Sequence, residues 1–322
     1  MKIKLIALAA AWAAALPAAA QNGWPSKPIR LIVPTGAGSP IDVVARALAQ
    51  KLQERLGQPF VVDNKPGANQ IIGMEACARA APDGYTFCIA NNNSWTINPL
   101  VFSKLSYDPD KQLTPVAMLV WPVAVITASA QLGAKNFKEV AELSRKQPTL
   151  LNWGSTGIGS NSHFYLEAIS EASGWRVAHV PYANVGQLVP AALSNTVQLY
   201  YGTVGSVKAH IDNGRLVPLL VTAPQRSRFL PNVPTLKEAG LGDFNLPAWF
   251  GMVAPAGTPA EVVQRMNEAA NAVVADAAFK TTVLDPQTLE PAGGTLPEIK
   301  AYLKRERETS AALVKKANIK MD

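Results

Sequence analysis

Apolar and polar positions alternate between two periods along this chain. Ile29–Val33 is an apolar run of strand length, while Ile41 to Leu56 repeats apolar residues every three or four positions until Gly57 ends the pattern. The pairing of a short strand with an amphipathic helix then recurs. Phe60-Val61-Val62 predicts a strand, Lys65-Pro66-Gly67 a turn and Ile71–Ala80 a helix, and Pro82-Asp83-Gly84 turns into a strand over Tyr85–Ala90. Such βαβ repetition predicts a parallel sheet covered on both faces.

Val116–Ala128 is a long apolar run broken by Pro122, and it reads as the crossing into a second domain. Asn136-Phe137-Lys138-Glu139 is a capping-box pattern that opens a helix there. Strands over 150–153, 177–180, 197–201 and 217–221 then alternate with helices over Asn161–Ala172, near Gln187–Leu193 and near Val207–Asn213. Thr235 to Glu238 predicts a capped short helix that Gly240 closes. Ala248–Ala254 reads as a returning strand, with long helices opened by Thr258–Glu261 and by Thr295–Glu298. The expected architecture is α/β, with two lobes joined by a hinge: lobe 1 over 21–122 and 247–322, lobe 2 over 123–246. Lobes joined twice can close on a cleft, and α/β sheets hold ligands at the carboxyl ends of their strands.

The first 20 residues stand outside this pattern. Lys2 and Lys4 precede an apolar run from Leu5 to Leu16, and Ala18-Ala19-Ala20 forms an A-x-A site, so a signal peptide over 1–20 is expected, cleaved before Gln21 to leave a soluble periplasmic protein. The run is too short to span a bilayer. The formal net charge is +7, and Lys2 and Lys4 would carry two of those charges away. The Lys304-Arg305 and Lys315-Lys316 pairs alternate with acids or end a helix, which fits solvated helix faces and not nucleic acid. Cys77 and Cys88 fall on a predicted helix and the strand after it. In an oxidising compartment a disulfide is favoured over two buried thiols, and neither residue has the cationic neighbour of a reactive cysteine.

Three turns carry the candidate chemistry, each at the carboxyl end of a predicted strand. The first is Thr35-Gly36-Ala37-Gly38, leading into Ser39 as N-cap, Pro40 at the first helical position and Asp42. A glycine turn feeding a helix N-terminus bares backbone N–H groups with the helix dipole behind them, a fit for a carboxylate. The second is Asn91 to Ser94, with Asn92 and Asn93. The third contains Ser155, Thr156, Gly157, Gly159, Ser160 and His163. Ser39 and Ser160 are expected to cap their helices, which leaves the N–H groups available.

Catalysis finds little support. There is no G-x-S-x-G elbow and no Walker loop, and His163, His179 and His210 lack metal-ligand spacing. A Ser155/His163 dyad has no evident third residue to orient the base. His179 reads as structural. No metal and no cofactor are expected.

The order of several short motifs resembles the tripartite tricarboxylate transporter substrate-binding proteins, also called Bug receptors. They are Trp24 to Arg30, Leu56-Gly57-Gln58-Pro59, Val61 to Ala68, Ala81-Pro82-Asp83-Gly84-Tyr85-Thr86, His179-Val180-Pro181-Tyr182, Val233-Pro234-Thr235 and Ala254 to Pro259. The resemblance spans essentially the whole mature chain. It implies a type II periplasmic binding-protein fold, a small carboxylate held between the lobes, a monomer and a membrane permease pair as partner. It maps the ligand site onto Thr35–Asp42, the Ser155–Ser160 turn and the loop after the strand 197–201, with Tyr182, Gly202 and Thr203. Two departures stand out: Thr35 replaces an aromatic, and Ser39 a glycine. Gly202 aligns where the family often has an acid, so the ligand is expected to lack an amine. Trp95, Trp153, Tyr182 and Tyr201 either wall the cleft or fill the core. The competing readings are a periplasmic hydrolase or isomerase on this scaffold, working through Ser155 and His163, and an orphan sensor serving a signalling partner.

Overall fold

The chain builds most of one sheet, leaves to build a second, and returns to complete the first. The computed structural model describes residues 23–147, 151–182, 185–242 and 248–317. The expected signal peptide, its cleavage site and position 247 lie outside the described residues.

The first pass runs β1 (Ile29–Val33), α1 (Pro40–Leu56), β2 (Phe60–Asn64), α2 (Ile71–Ala78) and β3 (Thr86–Asn91). A π-helical turn at Asn93–Ile97 and two short helices, α3 (Asn98–Val101) and α4 (Pro109–Gln112), lead to β4 (Leu113–Pro122). Only Val123 separates β4 from β5 (Ala124–Ser129), which belongs to the second sheet. There follow α5 (Phe137–Lys146), β6 (Asn152–Ser155), α6 (Asn161–Ser173), β7 (Ala178–Pro181), α7 (Val185–Leu193), β8 (Leu199–Thr203), α8 (Val204–Asp212) and β9 (Leu216–Val221). The return consists of β10 (Phe250–Pro255), α9 (Ala260–Val274), α10 (Ala277–Phe279), β11 (Leu289–Pro291) and α11 (Leu296–Ala317).

The first sheet has the order β11-β4-β10-β3-β1-β2 and the second β7-β6-β8-β5-β9. Both are mixed, which corrects the all-parallel expectation. β1, β2 and β3 are parallel, but β10 enters between β3 and β4 antiparallel to both. In the second sheet β6 lies parallel to β7 and β8, while β5 is antiparallel to β8 and β9. The physical reason is the double crossing. β5 and β10 arrive from the other lobe and not from a crossover helix, so the right-handed βαβ geometry does not set their direction.

Local signals place the elements well. Ser39 caps α1, accepting the Asp42 N–H, and Gly57 ends it at φ +77°. Ile41, Val44, Ala45, Leu48 and Leu52 form a buried stripe on α1 that packs on Ile29, Leu31 and Val33 of β1. Each fully buried leucine there contributes about 2 kcal/mol. Thr295 and Glu298 form the expected reciprocal cap of α11.

Thr235 and Glu238 make the same reciprocal cap, but it serves a single turn and not a helix. Thr258 does not cap α9; its hydroxyl donates to the Pro255 carbonyl, and no side chain caps the helix. The strand expected at 150–153 sits at Asn152–Ser155. Cys77 on α2 and Cys88 on β3 are bridged, 11 residues apart. Closing so short a loop in the unfolded chain is worth about 2–3 kcal/mol and ties helix to strand.

Candidate functional site

The turn after β1 is held from behind by a carboxylate. Asp42 is 2% exposed. Its Oδ2 accepts the Gly38 N–H at 2.8 Å and Arg46 Nε at 3.0 Å, and its Oδ1 accepts Asn64 Nδ2 at 2.8 Å. Asn64 also donates to the Thr35 carbonyl at 3.0 Å, so the end of β2 is stitched to the end of β1. Burial alone would raise the Asp42 pKa; donation from Arg46, the Gly38 N–H and Asn64 outweighs it and holds the carboxyl below the usual range. Asp42 is therefore a brace, with its acceptor capacity used inside the turn.

The front of that turn offers donors. Gly36, Ala37 and Gly38 are exposed, and a Cβ built at Gly36 or Gly38 would meet open space. The N–H groups of Gly36, Ala37 and Ile41 have no acceptor among the described residues. Ser39 is occupied as a cap and shares a 2.9 Å hydrogen bond with Thr35 Oγ1. Gly38 needs its φ of +79° to direct its N–H onto Asp42.

The segment expected as an Asn91–Ser94 turn is the end of β3 running into helical backbone. Asn91 and Ser94 bond each other through side chains and backbone. Asn92 is buried and reaches the second lobe, donating from Nδ2 to Asn161 Oδ1 at 2.9 Å. Asn161, the first residue of α6, also hydrogen-bonds the buried Tyr201 hydroxyl, as does Thr222. Burial, then the stacked neighbour Tyr165, pushes the Tyr201 pKa up, so this phenol stays protonated. This chain of bonds joins the carboxyl end of β3 to the turn that leads into α6. β1 adjoins and parallels β3, so the first glycine turn lies at the same edge of the first sheet as Asn92.

The second turn is built on neutral groups. Ser155 is fully buried, accepts the Gly157 N–H at 3.0 Å and lies 2.5 Å from His179 Nε2. Ser160 caps α6 and donates to the Gly157 carbonyl at 2.7 Å. His163 Nδ1 accepts the Gly159 N–H at 3.2 Å, and the His163 and His179 rings stack at 4.2 Å, 12° from parallel. The Ser155/His163 dyad that the competing hydrolase reading would need does not form: the imidazole on Ser155 is His179. The hydroxyl is buried, and its bonds brace the turn. What the turn leaves outward is the exposed Thr156 and the N–H groups of Thr156, Ile158 and Asn161, without an acceptor among the described residues. Asn93 is half-buried within the π-helical turn and has an unpartnered Oδ1.

A family description matches residues 44–319: the tripartite tricarboxylate transporter family receptor. The chain belongs to this family. Among curated relatives of this receptor is a UPF0065 protein of Bordetella bronchiseptica, 34% identical over 308 residues, covering 96% of this chain and 91% of that protein. Two solved structures are similar over nearly all of it. R. palustris Rpa4515 with adipate has a TM-score of 0.84 at 28% identity, covering 92% of this chain and 99% of that one. MatC (Rpa3494) from Rhodopseudomonas palustris with bound malate has a TM-score of 0.79 at 26% identity, covering 90% and 100%. The receptor's fold is that of periplasmic binding proteins, two α/β lobes about a cleft.

The remaining expected residues of this receptor fall in different places. Gly202 is not in a loop; it lies within β8 and is buried, and a Cβ there would sit 2.1 Å from the Tyr200 hydroxyl. Thr203 ends β8 at the N-cap position of α8 but makes no capping bond, so its hydroxyl stays available. Tyr182 is half-buried against the second-lobe core, and its N–H donates to the Ser155 carbonyl. Trp95 and Trp153 are core residues, 4% and 0% exposed, and wall no cleft; Tyr201 is half-buried and stacks on Tyr165. Among the described residues no group of three or more His, Cys, Asp or Glu side chains could hold a metal ion.

Sequence reasoning missed Arg46, Asn64, Asn161 and the role of His179. Arg46 had a signal, since it follows Asp42 by one helical turn. Asn64 and His179 had none. Each reaches its partner across neighbouring strands.

Proposed function

We propose that this receptor captures a small dicarboxylate without an amine between its lobes in the periplasm, and hands it to a membrane permease pair as a monomer. One observation carries the reading. The first-lobe turn presents N–H donors outward while its own carboxylate, Asp42, is locked behind them by Gly38, Asn64 and Arg46. A face of donors backed by a helix N-terminus suits an anion and offers nothing to an ammonium group. The relatives solved with adipate and with malate support the ligand class. Ligand contacts are assigned to the backbone N–H groups of Gly36, Ala37 and Ile41 and to the Thr156–Ser160 turn, with Thr35, Asn93 and Thr203 supplying side chains; the Gly38 N–H is held by Asp42. Asp42, Asn92, Ser155 and His163 act one step behind.

The test is thermal unfolding of the mature protein, stripped of ligand by unfolding and refolding, against adipate, malate, glutarate and glutamate. A bound acid at 100 times its dissociation constant stabilises by about 2.7 kcal/mol, a shift of roughly 5 °C for a chain this size. Glutarate is expected to stabilise more than glutamate, which has the same carbon skeleton plus an amine. A larger shift with glutamate would overturn the amine exclusion, and no shift with any dicarboxylate would overturn the ligand class.

A further inference from the structure

The second-lobe turn is braced by two imidazoles whose protonation states are dictated by their contacts. A histidine nitrogen that accepts an N–H must carry a lone pair, and an imidazolium has none. His163 Nδ1 accepts the Gly159 N–H at 3.2 Å, so that bond exists only while the ring is neutral. The His163 ring lies flat on that of His179, centroids 4.2 Å apart, so two positive charges would face each other across van der Waals contact. His179 in turn holds Ser155, whose Oγ fixes the Gly157 N–H. The turn glycines, Gly157 at φ +118° and Gly159 at φ +74°, adopt backbone that favours glycine, so their shape depends on these contacts. The titratable groups facing the pair are each other and Glu167, one turn along α6, whose Oε1 lies 3.6 Å from His163 Nε2. Glu167 favours the charged ring, but it is half-exposed and outside hydrogen-bond range.

We propose that His163 and His179 are positioning residues: as a neutral stacked pair they hold the Gly157–Ser160 turn in its receptive shape, and protonation of His163 releases the Gly159 N–H, loosening the turn and discharging the ligand. This rests on the proposed reading that the turn meets the ligand, but the state of the turn is measurable without one. Burial lowers the His163 pKa, and burial with the His163 neighbour lowers that of His179 to about 4. Both rings are therefore neutral at ordinary pH, and the device responds only to acid.

The experiment is an NMR titration of the ligand-free protein from about pH 7.5 to about pH 4.5, the range over which histidines change charge, following the Gly157 and Gly159 amides and the His163 ring. The Gly159 amide is expected to shift and to lose exchange protection with the same midpoint as His163. In His163→Gln, whose amide oxygen accepts the same N–H without titrating, that response is expected to vanish. A Gly159 amide indifferent to His163, or an identical profile in His163→Gln, overturns the proposal. A second arm measures adipate and malate affinity at both ends of the range in both proteins. Dividing wild type by variant cancels the ionisation of the acids. One pH unit below its midpoint about a tenth of the His163 rings remain neutral, so the wild type is expected to lose up to about tenfold more affinity than the variant. Equal losses overturn the coupling to ligand. If neither acid binds at any pH, the choice of ligand is what fails, and the Gly159 titration still decides the role of the pair.

Discussion

The two glycine turns do the same structural job with opposite chemistry. Both follow a strand, both open a helix behind a serine cap, and both leave N–H groups outward. The first is braced by a buried carboxylate with a guanidinium and an amide. The second is braced by a hydroxyl and two neutral imidazoles. A charged brace with strong donors resists titration, because those donors favour the ionised form. A brace of neutral imidazoles does not, because the proton competes for the same lone pair that makes the contact. The lobes are thus similar in outline and unequal in their response to acid.

The sharpest way to break the comparison is Asp42→Ala. It leaves the Gly38 N–H and Asn64 Nδ2 without their acceptor and Arg46 without its partner, and is expected to cost about 2–3 kcal/mol in chemical denaturation. Arg46 is half-exposed, which keeps the figure below that of a fully buried pair. Carboxylate affinity is expected to fall with it. Ser39→Ala, which touches the cap alone, serves as the milder control at about 1 kcal/mol.

Stability against pH separates the two turns next. A carboxyl held below its ordinary value of 3.8 contributes stability that is present above that value and lost only as pH falls beneath it. A histidine whose folded pKa is depressed keeps its contribution above 6.5 and loses it as pH falls, through about 4 for His179. From pH 6.5 down to 4, then, the second turn weakens while the first does not. Glu306, pushed up to about 7 by burial, runs the other way: its contribution is present below 4.5 and lost as pH rises through about 7. Comparing wild type with a His163→Gln/His179→Gln double variant isolates the histidines. The variant is expected to show the shallower fall in unfolding free energy across that window, and parallel curves would count against the histidine brace.

The smallest expected effect lies where the lobes meet. Asn92→Ala removes the hydrogen bond to Asn161 that spans the lobes, at a cost of about 1 kcal/mol. Its main consequence is expected in shape: a slightly larger radius of gyration by small-angle scattering without ligand, recovered when a binding acid is added.

Much of this frame was legible in advance. Ser39, Asn136 and Ser160 announced helix starts because capping is a local contact, and the apolar runs announced eight of the eleven described strands to within two residues; β4 and β5 read only as a crossing, and the three-residue β11 left no pattern. The Cys77–Cys88 bridge was legible because the two residues lie on adjoining elements. The direction of β10 was not: its residues mark a returning strand, but their pattern does not say which way that strand enters the sheet. The glycine turn and its cap were legible, but the sequence does not separate Asp42 from the turn's outward face; only the positions of Asn64 and Arg46 show that its oxygens are already engaged. His179 looked structural for want of a partner within its own segment, and its partner Ser155 stands on the neighbouring strand.

Gly202 bears on how such a receptor could change its taste over evolutionary time. The Tyr200 ring fills the space that any side chain at 202 would need, and it is 1% exposed in the second-lobe core, so it has nowhere to swing. An acid at 202 is therefore reached only through a smaller residue at 200, and that intermediate carries a void with no new ligand to favour it. The two positions are epistatic. Placing an acid at 202 therefore requires a paired change, a stickier historical step than a single missing charge would be.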